Sequence, residues 1–262
     1  MTASSWFTTV VLVAGLAVSG AVLGRVAAPV WTGMRQSEPG LRLDSVAVAG
    51  GRGVTLALLG GFRTLVADGT WLRMYLLWEQ RDLPSTDSLI HLVTTLDPRP
   101  VYFWLNGARI LAYDLSAWRI ELAGGYDVVP ASEQTRIDRE QAGRAMAFLA
   151  VAMGFHPATA DLWIERANIE LNRLRDVAAA AESYRRAFEM PQGPYYAARL
   201  HAQLLRRLGR KAEALDWLVR LHPRLPAQDD AAGADVVLGR IRELEAELGL
   251  PAAQRYQASP KL

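Results

Sequence analysis

The sequence predicts an all-α protein in which helical hairpins stack as a solenoid behind one N-terminal transmembrane helix. Three observations carry that expectation. An apolar run without charge fills residues 6–23, proline-bounded units share one internal pattern, and an amphipathic segment closes the series near the C-terminus. At 262 residues, 51% hydrophobic and 21% charged, the chain is long enough for one large domain or two small ones.

The run "WFTTVVLVAGLAVSGAVL" would span about 27 Å as a helix, which matches the hydrocarbon thickness of a bilayer. Trp6 and Trp31 flank it as interfacial aromatics, so residues 1–31 read as an anchor. A cleaved signal peptide is the alternative, with small residues in "AVSGA" for cleavage. No Lys or Arg precedes the run, however, and a secretory signal normally has a basic n-region, which favours an uncleaved anchor. Arg25, Arg35, Arg42 and Arg52 all follow the span, so charge bias leans the large domain towards the cytoplasm, with the periplasmic side left open. Residues 32–53, including "TGMRQSEPG", form the expected linker.

The stretch "VTLALLGGFRTLVA", residues 54–67, is apolar apart from Arg63 and reads as a buried helix opening the main domain. A second membrane segment is the alternative, but 14 residues fall short of a span. Repeats then set the organisation. Pro98 lies six residues before Trp104, and Pro157 six before Trp163. A small residue follows each tryptophan by four, Ala108 and Ala167, and Pro157 to Pro191 is 34 residues. Ile90 and Val93 precede Pro98, as Ala145, Leu149 and Ala152 precede Pro157. "LGRKAEALDWLVRLHP" repeats the theme with Gly209 in its turn and Ala214, Leu218 and Leu221 on the following helix. "AAAAESYRRAFEMP" repeats it with Ala180, Tyr184 and Ala187.

This pattern resembles the tetratricopeptide repeat over residues 67–226, as four repeats within an expected domain of 54–226. Antiparallel helices approach closely only where side chains are small, the task of Ala108, Ala167 and Ala202, and large residues fill the adjoining space. Proline follows each second helix because it cannot continue one. One hairpin cannot bury its own apolar face, so neighbours must stack. Trp104 is accordingly expected to pack between helices, with Phe103 on the packing side. Repeat one is degenerate, with Met74 in a small-residue position and Trp71 one place late. Repeat two is expected to be interrupted by a long loop at 114–132, between helices near 101–113 and 133–153, with a short hairpin near Gly124 and Gly125. Its Trp118, Ile120, Tyr126 and Val128 argue against simple disorder.

"GADVVLGRIRELEAELGLP" carries Val237, Ile241, Leu244 and Leu248 at a 4-3-4 spacing, and Gly249 and Pro251 stop it. Residues 227–249 thus read as a capping helix, and 250–262 as a tail.

Chemistry is sparse. The chain has no cysteine, hence no disulfide, thiolate metal site or cysteine nucleophile. His91, His156, His201 and His222 are far apart in sequence, His156 and His222 beside prolines where a turn role is expected. No phosphate loop occurs, and "AGGRG" departs from the dinucleotide spacing. Glu165 and Glu170 fall among arginines and read as a solvated face. No catalytic residues, cofactor, metal or small-molecule substrate are assigned. The net charge of +2 is near balance and does not mark a dedicated nucleic-acid binder.

The tetratricopeptide resemblance implies a ligand groove along the first helix of each pair. Carried over by phase, it offers Trp71, Tyr75 and Trp78 in repeat one and Tyr102, Asn106, Arg109 and Tyr113 in repeat two. Repeat three offers Asn168 and Asn172, and repeat four Tyr196, Arg199, Gln203 and Arg206. Asn and Gln pair with peptide backbone, Arg with carboxylates, and aromatics supply contact area. The family's carboxylate clamp is not matched, since Glu165 stands where a cation would help. The expected function is a membrane-anchored, non-catalytic adaptor or assembly factor that binds a protein or extended peptide. Three alternatives stand beside it. They are a structural subunit of a membrane complex, an enzyme using the 114–132 segment, and a nucleic-acid binder through Arg199, Arg206, Arg207, Arg210 and Lys211.

Overall fold

A computed structural model of the chain describes residues 62–226 and 229–258. The chain divides into two units, Met1–Gly69 and Thr70–Leu262. The expected span at 6–23, the linker and the apolar stretch up to residue 61 lie outside the described residues. Among the described residues the protein is all-α, with no strand and no helix long and apolar enough to cross a membrane.

Helix α1 (Arg63–Glu79) crosses the boundary between the units, and beyond Thr70 it turns Trp71 and Met74 into the second unit's core. Helix α2 (Leu83–Leu96) starts where Asp82 accepts the Ser85 amide at 3.2 Å, with Pro84 in its first turn. Ile90 and Val93 face inward, and Pro98 and Pro100 end the run.

Helix α3 (Val101–Arg109) does not stop near residue 113 as expected. It passes through a π-helical turn (Ile110–Asp114) into α4 (Leu115–Leu122), so most of the expected loop is helix. The reason is visible in the side chains. Trp104, Ala108, Leu111, Leu115 and Trp118 repeat at a 4-3-4-3 spacing and are all buried, and between Gly107, which the helix accommodates, and Gly124 no Gly or Pro intervenes. The connection shrinks to residues 123–130 and contains no hairpin; Gly124 and Gly125 turn it with φ of +119° and +89°. Tyr126 and Val128 are exposed there, while Val129 joins Ile120 and Ile137 in a small core at the tip. Helix α5 (Ala131–Phe155) returns along α3 and α4, so the extra residues lengthen both arms of one hairpin.

Gly107 makes this hairpin close-packed. A Cβ there would come within 2.8 Å of Ile90 Cγ2 and 3.0 Å of Phe148 Cε1. Trp104 is buried beside it, 4.7 Å from the Phe148 ring and donating from Nε1 to the Pro98 carbonyl at 2.8 Å. The packing expected of Trp104 and Phe103 is what the fold shows. His156 caps α5 and donates from Nε2 to the same Pro98 carbonyl at 2.8 Å, tying two proline turns together.

Helix α6 (Ala160–Ile169) also runs into a π-helical turn (Glu170–Leu174) before Arg175, at φ +58°, reverses the chain. Asp176 caps α7 (Val177–Glu189) by accepting the Ala179 amide at 2.9 Å. Then come α8 (Tyr195–Arg207), Gly209 at φ +77°, α9 (Lys211–Leu221) and a 3-10 turn (His222–Arg224). Helix α10 (Ala234–Glu247) closes the series; its Val237, Ile241 and Leu244 are buried while Leu248, just past its end, is exposed.

From α6 onwards each helix packs on the next, and the two- to five-residue connections among α6 to α9 make successive helices fold back on each other. Ala108, Ala167 and Ala202 are all buried, as close approach requires. Helix α8 serves two cores. Its Ala197 and Leu204 pack with Ala167, Ala180 and Tyr184, whereas Ala198, Ala202 and Leu205 pack with Ala214, Leu218 and Ile241.

Two carboxylates expected on a solvated face are buried. Glu165 is 2% exposed and Glu170 is 3% exposed. Glu170 is satisfied by the Ser183 hydroxyl at 2.6 Å and Arg166 Nε at 2.9 Å, so its charge is compensated inside the α6–α7 hairpin.

Candidate functional site

The residues expected to face a ligand lie on α1, α3, α6, α8 and the two π-helical turns, and side-chain contacts link α1 to α3 and α3 to α6. At the α1 end, Trp71 proves to be a core residue. Its ring lies 5.1 Å from Phe103 and 5.8 Å from Tyr102, so the one-place shift of repeat one turns it inward. Tyr75 and Tyr102 reach the surface instead, their hydroxyls 3.2 Å apart. Trp78 is half-buried; its Nε1 donates to Asp114 at 2.8 Å and its ring lies 6.2 Å from Trp118. Trp118 is therefore covered rather than lining an opening. Asn106 donates from Nδ2 to the Tyr102 carbonyl at 2.9 Å within its own helix.

The middle of the row is polar and internally paired. Arg109 Nε donates to the buried Glu165 at 2.8 Å, bridging α3 to α6. The two π-helical turns sit against each other here. The Tyr113 phenol of the first faces the side chain of Asn172 of the second, and the Arg173 guanidinium lies 4.6 Å from the Tyr113 ring centroid. Burial holds the Tyr113 phenol above its usual range. Arg173 also donates to Asp138 at 2.9 Å. Asn168 accepts from the Tyr184 hydroxyl at 2.6 Å, and burial pushes that phenol up to about 12. π turns widen the helix by one residue and re-aim side chains, which is how both polar sets arrive at one seam.

At the far end Tyr196, Arg199, Gln203 and Arg206 come together along a cavity of about 310 Å³ between α8 and α10. Leu218, Val237 and Leu244 form its apolar floor, and Val236 and Arg240 complete the mouth. Arg206 pairs with Glu243 and Glu247, and Lys211 reaches Glu247 at 3.1 Å. Arg210 pairs with Glu213. Much of the basic stripe around α8 is thus neutralised within the fold, which weakens its claim on phosphates.

Sequence reasoning missed Arg173, Asp114 and Arg240 as members of this surface. Glu165, expected at a clamp position but on a solvated face, is buried. The missed residues depend on the two π turns and on the seat of α10, neither of which leaves a local signal. Among the described residues no three His, Asp or Glu side chains are placed to hold a metal ion. No family model matches the chain, and no characterised protein sequence is significantly similar to it.

Proposed function

We propose that the chain is a membrane-tethered, tetratricopeptide-type adaptor that holds an extended peptide or protein segment along the surface shared by α1, α3, α6, α8 and α10. The observation that supports this reading is the series of bridges joining first helices across the pairs. Tyr75–Tyr102 and Arg109–Glu165 hold the first helices of pairs one to three in register, and Arg206–Glu247 holds the fourth to the closing helix. That register is what a solenoid groove requires. The tether rests on the uncharged run at 6–23 and the arginines after it, which lean the domain towards the cytoplasm.

A photo-crosslinking side chain at Tyr102 in the full chain, expressed in its native membrane, tests the groove. A discrete adduct is expected, and it should be lost when Asn106→Ala and Gln203→Ala are combined while the melting temperature stays within a few degrees. A crosslinker at exposed Ala147 on α5 that captures the same partner equally well would count against it.

A structural subunit is the second reading, favoured by one observation. Leu72 and Leu76 on α1 are 67% and 60% exposed on one helical face, an apolar stripe suited to a neighbouring subunit. In that case the adduct would form at Leu72 and not at Tyr102.

A further inference from the structure

Three arginines stand at the mouth of the α8–α10 cavity, and they are not equivalent. Arg206 is paired with Glu243 and Glu247, and Arg240 Nη1 with Glu243 at 2.6 Å. Arg199 Nη1 instead donates to two backbone carbonyls, Ala232 at 2.7 Å and Ala231 at 3.1 Å, and has no carboxylate partner among the described residues. Carbonyl groups orient a guanidinium without cancelling its charge. The connection before α10 is shaped for this contact. Gly233 takes φ +60°, and a Cβ on it would come 3.0 Å from Arg199 Nη1 and 3.4 Å from its Cζ. The result is a positioned, uncancelled cation beside an apolar floor. Gln203, exposed on the next turn of α8, adds an amide with both donor and acceptor.

We propose that this cavity recognises an acidic–apolar peptide motif: one large apolar side chain fills the floor, and an adjacent Asp or Glu carboxylate pairs with Arg199. The proposal deepens the adaptor reading and rests on it. A cavity of about 310 Å³ lies at the small end of ligand pockets, roughly 300–1,000 Å³, which suits a side chain with its peptide unit. An arginine fixed in advance loses little freedom on binding, so its bidentate carboxylate contact is realised almost in full. An anionic bilayer surface fits worse. Glu243 and Glu247 lie beside the opening and would face the same sheet of headgroups, whereas a single carboxylate at Arg199 avoids them.

The test uses fluorescence anisotropy on the full chain in neutral detergent. The probes are three fluorescein-labelled, C-terminally amidated peptides: Gly-Ser-Asp-Leu-Glu-Ser-Gly, its Asn/Gln counterpart, and the acidic form with Ala for Leu. The acidic leucine peptide should bind about tenfold tighter than either control, the scale of one charge-assisted contact or one buried leucine. Raising salt should narrow the acidic preference but not the leucine preference. Arg199→Gln should erase the acidic preference and leave the leucine preference. Arg199 also ties down the α9–α10 connection, so Gly233→Ala serves as a second variant. It keeps the guanidinium but displaces it, and it should reduce the same preference. Equal binding of acidic and neutral peptides, an acidic preference that survives both variants, or binding seen only with phosphatidylglycerol vesicles would overturn the proposal. Peptide binding without charge preference would leave the adaptor reading standing, while no binding by any probe would remove both.

Discussion

The Arg109–Glu165 bridge offers the sharpest test of how the first helices are joined. Glu165 is only 2% exposed at the side chain, whereas Arg109 is 54% exposed. Exposed ion pairs contribute about 0–1 kcal/mol, and removing one partner of a fully buried pair costs about 3–5 kcal/mol. This pair is buried at one end only, so Arg109→Gln should cost an intermediate amount, about 1–3 kcal/mol, by leaving a carboxylate under-compensated in the interior. Glu165→Gln keeps the shape and leaves a guanidinium already open to water, at a cost below about 1 kcal/mol. The double substitution removes the buried charge together with its need for a partner. It should therefore be more stable than the sum of the single effects predicts, by about 1–2 kcal/mol. At about 2–4 °C per kcal/mol for a domain of this size, Arg109→Gln lowers the melting temperature by about 2–12 °C. Helical circular dichroism of the four proteins in one detergent measures the cycle. Additivity within about 0.5 kcal/mol would show that the two side chains do not bridge α3 and α6.

Two further outcomes are expected. Ala167→Leu, placed among Ala180, Ala181 and Ala197, should overpack the α6–α7–α8 core and cost about 1–3 kcal/mol, while Ala147→Leu on the exposed side of α5 should change stability by under about 0.5 kcal/mol; thermal melts compare them directly. His201 is buried, donates from Nδ1 to the Ala181 carbonyl at 2.7 Å, and has its pKa lowered chiefly by that burial. The unfolded chain then binds a proton more readily than the folded one, so stability is full above about pH 6.5 and falls as pH drops through the lowered folded value. His201→Phe should flatten the melting temperature over that window, and an unchanged slope would place the titration elsewhere.

The helical pairs were legible because their demands are local. Pro98 before Trp104, Ala108 one turn on, and Ala180, Tyr184 and Ala187 on one face declare close helix contacts without any knowledge of the partner. The continuation of α3 into α4 was legible too, in the spacing of Leu111, Leu115 and Trp118. It was overlooked because a standard repeat length was imposed where no residue stops the helix before Gly124. The burial of Glu165 and Glu170 was not legible. Arg109 lies 56 positions from Glu165, and Ser183 meets Glu170 only once the hairpin has closed. A carboxylate among arginines reads as solvated until the partner that lets it go inside is known. Arg199 poses the same difficulty: its partners are carbonyls of a connection, which carry no side-chain signature.

That distinction also bears on where affinity can reside. Along most of the shared surface the polar groups have already found each other: Trp78 with Asp114, Arg109 with Glu165, Asn168 with Tyr184. A ligand competing for these groups would have to break bonds as good as those it forms, so they contribute shape and register and little net free energy. The exceptions are few and concentrated at one end. Tyr102 offers an open ring face next to α1, but Gln203 and Arg199 offer open hydrogen-bonding capacity beside a floor of Leu218 and Leu244. Binding energy in such interfaces gathers where a desolvated apolar contact adjoins an uncompensated polar one. The α8–α10 end meets both conditions, so substitutions there should dominate any alanine scan, and those in the paired middle should register mainly as changes in stability.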